Sequence, residues 1–80
     1  MDTVTFVTNL QIRKKFGRVI RMRRKQMRIS QEEFAHRANI HRTYVSMLER
    51  GVSNPTLSVI ADMAKALKTT ITSLVQEAEK

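Results

Sequence analysis

The sequence predicts an all-α fold: one compact domain of five short helices. Three observations point there. Apolar residues recur at helical spacing from about Asn9 onward. Capping residues (Ser30, Thr56, Thr70) and stop residues (Asn39, Gly51) punctuate the chain at short intervals. The one strand-like stretch has no second stretch to pair with. Eighty residues suffice for a single domain, and a chain this short buries only about 60–70% of its unfolded surface, which favours self-association. No cysteine is present, so disulfide scaffolds and thiolate metal sites are excluded and a reducing compartment fits. No apolar run approaches the roughly 20 residues of a membrane helix. The start, Met1-Asp2-Thr3, lacks the order of a secretory signal. A soluble, cytoplasmic domain is expected.

Residues 1–11 carry Val4, Phe6 and Val7 among threonines, a strand-like composition read as an arm or a helix lead-in. A first helix spans about Asn9–Arg28, with Ile12, Phe16, Val19, Ile20 and Met27 on one face. Arg23 interrupts that face and can lay its stem along the core edge. Ser30-Gln31-Glu32-Glu33 reads as a capping box opening a helix over Gln31–Ala38, with Phe34, Ala35 and Ala38 facing in. Asn39 tolerates the left-handed turn that follows. A third helix runs about Arg42–Arg50 and stops at Gly51. After a loop, either Thr56 or Asn54 with Pro55 can start a fourth helix. Its expected inner stripe is Leu57, Ile60, Ala61, Ala64 and Leu67. Thr70 caps a fifth, with Ile71, Leu74, Val75 and Ala78 apolar.

Charge is unevenly placed. The net charge is +8, and nine Lys and Arg fall within residues 13–28 with no acid among them. The remaining 64 residues hold six cations and seven acids. Such a segment favours a polyanion, either nucleic acid or an anionic membrane surface. The few bulky apolar residues on this helix argue against the membrane.

Helices two and three have the lengths and short turn of a helix-turn-helix. Ala35 supplies a small residue at the crossing, while Ile40, Val45 and Leu48 can fill the angle. Helical geometry then turns Arg42, Thr43, Ser46, Met47 and Arg50 outward. Arg42 can bond bidentate to guanine, Thr43 and Ser46 can meet base edges or phosphate, and Met47 can pack on a thymine methyl or instead fill a core gap. Tyr44 is either a backbone contact or a core-edge aromatic. Gln31, in the first turn of helix two, can face a phosphate. The cationic first helix would add sequence-blind attraction, lost evenly for all sequences when Lys14 or Arg18 is removed.

The string Ser30-Gln31-Glu32-Glu33-Phe34-Ala35, then Arg42-Thr43-Tyr44-Val45-Ser46-Met47-Leu48-Glu49-Arg50-Gly51 and Asn54-Pro55-Thr56-Leu57, resembles the Cro/repressor (XRE) helix-turn-helix family. It is most like the controller proteins of restriction–modification systems. The resemblance covers about Gly17–Val75 and implies a lambda-repressor-like fold. The chain is expected to divide into an N-terminal arm or helix lead-in at 1–11 and a DNA-binding domain at 12–80, with the helix-turn-helix at about 30–51 and a dimerisation helix at about 70–79. By position the resemblance implies base contacts from Arg42, Thr43, Ser46 and Met47. It implies backbone contacts from Arg24, Gln31, Tyr44, Arg50 and Asn54, an Arg24–Glu49 ion pair, and a dimer interface of Ile71, Leu74, Val75 and Ala78. Asn39 replaces the family's usual turn glycine, Arg28 stands where helix one often ends in glycine, and His41 replaces a Ser or Thr cap.

The expected function is a sequence-specific transcriptional regulator that binds double-stranded DNA as a homodimer on a near-palindromic operator. An activator would also meet RNA polymerase. The alternative is an antitoxin that binds a toxin and represses its own operon. A sequence-blind RNA or DNA binder is a third reading, weakened by the scarcity of exposed aromatics. No cofactor, metal or enzymatic activity is expected: His36 and His41 are poorly spaced for a shared metal, and no nucleophile–base pair or phosphate-cradling glycine loop stands out.

Overall fold

The computed structural model describes residues 8–80, which form α1 (Asn9–Gln26), α2 (Gln31–Ala38), α3 (Arg42–Glu49), α4 (Leu57–Ala66) and α5 (Ile71–Glu79), with no strand among the described residues. The predicted five-helix architecture therefore holds. The arm or lead-in expected over residues 1–11 lies partly outside the described residues, and its last three residues belong to α1.

Each helix starts on a side-chain cap. Thr8 opens α1 with a reciprocal box that sequence reasoning missed: its Oγ1 accepts from the Gln11 N–H at 3.1 Å, and the Gln11 Oε1 accepts from the Thr8 N–H at 2.9 Å. Ser30 caps α2 by accepting from the Glu33 N–H at 3.0 Å. The return arm expected there is not made, because the Glu33 carboxylate instead accepts from the Arg37 Nε at 2.9 Å. His41 does the work of the usual Ser or Thr, its Nδ1 accepting from the Thr43 N–H at 3.3 Å. The competition at α4 resolves to Thr56, whose hydroxyl accepts from the Val59 N–H at 3.2 Å. Thr70 caps α5 through the Ser73 N–H at 3.0 Å.

The first four helices end alike. A residue at positive φ (Arg28, Asn39, Gly51, Lys68) reverses the chain. The next N–H then donates to a carbonyl five residues back: Ile29 to Arg24, Ile40 to Ala35, Val52 to Met47 and Thr69 to Ala64.

Phe34, Ile20, Leu48, Met63, Leu74 and Val45 are wholly enclosed. They form one core in which α1 packs on α3 and α5, α2 on α3 and α4, and α4 on α5. One expectation needs correction. Leu57, assigned to the inner stripe of α4, is 70% exposed, and Met63 occupies the core in its place. The rest of the expected stripe faces inward, Ile60 packing half-buried on the core and Ala64 and Leu67 buried in it, with Ala66 added and Ala61 half-buried.

Candidate nucleic-acid interface

The α2–α3 pair closes around buried Ala35, Ala38, Val45 and Leu48. Asn39, at φ 56° and ψ 44°, makes the turn between the two helices. With Val45 and Leu48 inward, Arg42, Thr43, Met47 and Arg50 are exposed and Ser46 is half-buried on the outer face of α3. The four residues expected to read bases thus share one accessible face. Met47 is 36% exposed and is no core filler. Tyr44 is half-buried against the core cluster at the edge of that face. Arg50 caps the helix and turns its Nε back to the Ser46 carbonyl at 3.3 Å.

The inner side of α3 is fixed by a polar cluster. Arg24 donates from Nε to the Glu49 Oε2 at 2.7 Å, from Nη2 to the Glu49 Oε1 at 3.0 Å and from Nη1 to the Ile29 carbonyl at 2.9 Å. Both partners are buried, with side chains 10% and 3% exposed. The hydrogen bond to Glu49 raises the guanidinium's pKa further above its ordinary value, against a smaller opposing effect of burial. This pair was expected. The assignment of Arg24 to the DNA backbone is corrected: its guanidinium is buried in the protein and holds α1, the α1–α2 connection and the end of α3 together. Gln31 is partly committed as well, since its Nε2 donates to the Glu49 Oε1 at 3.1 Å.

Gly17 sets how closely α1 meets α3. A Cβ there would lie 2.3 Å from the Leu48 carbonyl oxygen and 2.8 Å from that of Glu49. Both are backbone atoms that cannot swing aside, so only glycine lets the helices meet at this distance. A Cβ on Gly51, which sits at φ 78°, would likewise lie 2.8 Å from the α-carbon of Lys14.

Beyond α3, Asn54 is exposed at the start of the approach to α4. The expected dimer set divides. Leu74 and Ala78 are 0% and 1% exposed, consumed by the protomer's own core, and have no surface to offer a second copy. Ile71 and Val75 are half-buried. The sequence reading also missed two exposed apolar residues, Leu57 and Val52, the latter 55% exposed. Ile12, Phe16, Pro55, Ile60, Val75 and Ala78 contribute to an open apolar hollow of about 120 Å³ between α1, α4 and α5.

No helix among the described residues is long and apolar enough to cross a membrane. A helix-turn-helix family model, HTH_3, matches residues 20–74. The control protein C.BamHI of Bacillus amyloliquefaciens is 42% identical over 57 residues, which make up 70% of each chain. The structure of the restriction–modification controller protein C.AhdI from Aeromonas hydrophila superposes with a TM-score of 0.75 at 36% identity, covering 76% of this chain and 92% of that one. The controller C.Esp1396I, solved as a tetramer with its natural 35 base-pair operator, superposes at 0.74 and 29% identity over 86% of this chain and 96% of its own. With its two central helices, its capped and exposed third helix and these matches, the chain belongs to the helix-turn-helix family of regulators.

Proposed function

We propose that this chain is a transcriptional regulator of the restriction–modification controller type, binding double-stranded DNA in a sequence-specific manner as a homodimer. The observation that carries this reading is the outer face of α3. Arg42, Thr43 and Met47 are exposed beside half-buried Ser46, and the helix bearing them is locked from behind by Glu49 and Arg24. That face offers a bidentate donor for guanine, two hydroxyls for base edges or phosphate, and an apolar tip for a thymine methyl. Gln31, Tyr44, Arg50 and Asn54 would contact the flanking backbone, Gln31 through its first-turn N–H groups while its amide stays on Glu49. Similarity to two restriction–modification controllers, one solved on its operator, supports the same reading.

Two copies would place their third helices in successive major grooves about 34 Å apart. Half-buried Ile71 and Val75 would supply the contact between them. The reading places the chain in the cytoplasm with the DNA it controls. If it activates, RNA polymerase is a further partner, which transcription from the bound site would reveal.

Arg42→Ala provides the test. It should weaken binding to a preferred duplex by ~1–3 kcal/mol and relax preference at one base pair per half-site. An equal loss on preferred and scrambled duplexes would remove Arg42 from base recognition.

A further inference from the structure

The nine cations of residues 13–28 separate once α1 is formed. Arg24 is held by Glu49, and Arg23 reaches Glu77 on α5 at 2.7 Å. Arg13 turns its Nε to the Asn9 carbonyl at 3.3 Å. Lys14, Arg18, Arg21 and Lys25 remain exposed, and none of them is in an ion pair among the described residues. Their spacing of four, three and four residues puts them on one face of the helix, a line about 16 Å long.

Position distinguishes this line from the recognition face. Lys14 lies against Gly51, and Gly17 lies against the Leu48 and Glu49 carbonyls. The line therefore runs beside the C-terminal end of α3, whereas the base-reading residues begin at its N-terminal end with Arg42. On its other side Arg18 borders an open hollow with Val19, Met22, Glu77 and Lys80, so the line passes between the end of α3 and the end of α5. The apolar face of α1 is buried in the core, leaving only Leu10 and Met22 as exposed large apolar side chains on this helix. An anionic membrane would find little there to insert. A phosphate backbone, by contrast, presents a dense row of charge, about one per 1.7 Å of duplex axis, that a rigid cationic line can follow.

We propose that Lys14, Arg18, Arg21 and Lys25 form a second, sequence-blind DNA contact that holds the phosphates of duplex flanking the site read by α3. This rests on the helix-turn-helix reading of α3 and extends it: affinity would depend on DNA that the recognition helices never touch.

The test compares the full chain with R18Q/R21Q/K25Q, which spares Lys14 because of its packing on Gly51, and with R37Q/K65Q/K68Q, which removes the same charge from a separate surface. Binding is measured on duplexes of about 40 and about 20 base pairs carrying one preferred site, and on scrambled versions. The wild type should bind the long duplex about tenfold tighter than the short one at low salt. R18Q/R21Q/K25Q should lose most of that gap. The slope of log affinity against log salt on the long duplex should also fall by about 2–3 in magnitude, with the preferred-to-scrambled ratio held within about threefold. R37Q/K65Q/K68Q should keep the gap. A wild type indifferent to duplex length, or equal losses from both triple variants, would overturn the proposal. So would tighter retention on phosphatidylglycerol vesicles than on duplex, or a collapse of sequence preference in R18Q/R21Q/K25Q. A wild type without sequence preference that still shows the length gap would count against the α3 reading alone.

Discussion

At the scale of single residues, the site depends on a division between side chains that face out and side chains that hold the helix still. Arg42 and Thr43 are free at the surface, while Arg24 and Glu49 are enclosed and bonded to each other. Burying a charge is costly unless it is paired and hydrogen-bonded. Arg24→Ala would leave the Glu49 carboxylate, among the described residues, with only the Gln31 amide. The expected loss in urea unfolding is ~3–5 kcal/mol, a large part of the stability of a domain this small. A loss below about 1 kcal/mol would mean that water screens the pair as it does at a surface. The base-reading residues were legible in the sequence because helical geometry turns them away from Val45 and Leu48. The roles of Arg24 and Gln31 were only half legible. Sequence position does not reveal that three donors of one guanidinium are already occupied.

At the scale of elements, local rules located all five helices but not every device at their ends. Ser30, Thr56 and Thr70 are cap types that announce themselves, and Asn39 and Gly51 are ordinary left-handed stops. Arg28 and Lys68 also adopt positive φ, a conformation costing roughly 1–2 kcal/mol for such residues. Arg and Lys do not announce a left-handed stop by residue type, so Lys68 goes unmarked in the sequence and Arg28 stands out only as occupying a place where the family often has glycine. Leu57 and Met63 were exchanged for a related reason. Periodicity finds an apolar stripe, but it cannot tell a stripe facing its own core from one facing outward. The α1–α3 contact is the element-level feature most open to test. Gly17→Ala drives a Cβ into the Leu48 carbonyl, and since backbone on both helices must shift, ~1–3 kcal/mol of stability should be lost. Thermal unfolding would detect this as a lowered midpoint. An unchanged midpoint would show that α1 slides on α3 without penalty.

At the scale of the whole molecule, apolar surface is left over. Leu57 and Val52 are exposed, Ile71 and Val75 are half-buried, and an apolar hollow opens between α1, α4 and α5. A short chain that favours association has this surface to bury. Val75→Asp should leave the helical content of the protomer intact while shifting sedimentation from dimer toward monomer. Operator binding should weaken in parallel, since two recognition helices then no longer arrive together. A variant that stays dimeric would move the interface elsewhere. Here the sequence was least informative, because Leu74 and Ala78 satisfy the same helical pattern as Ile71 and Val75 and yet are spent inside the protomer.

The central claim is that two copies of α3 read one symmetric duplex. Selecting bound duplexes from a random DNA pool and sequencing the winners tests it most directly. A near-palindromic consensus is expected, its half-sites centred about one helical turn, roughly 34 Å, apart. Enrichment of no sequence over the starting pool would contradict it, leaving the cations to bind phosphate alone.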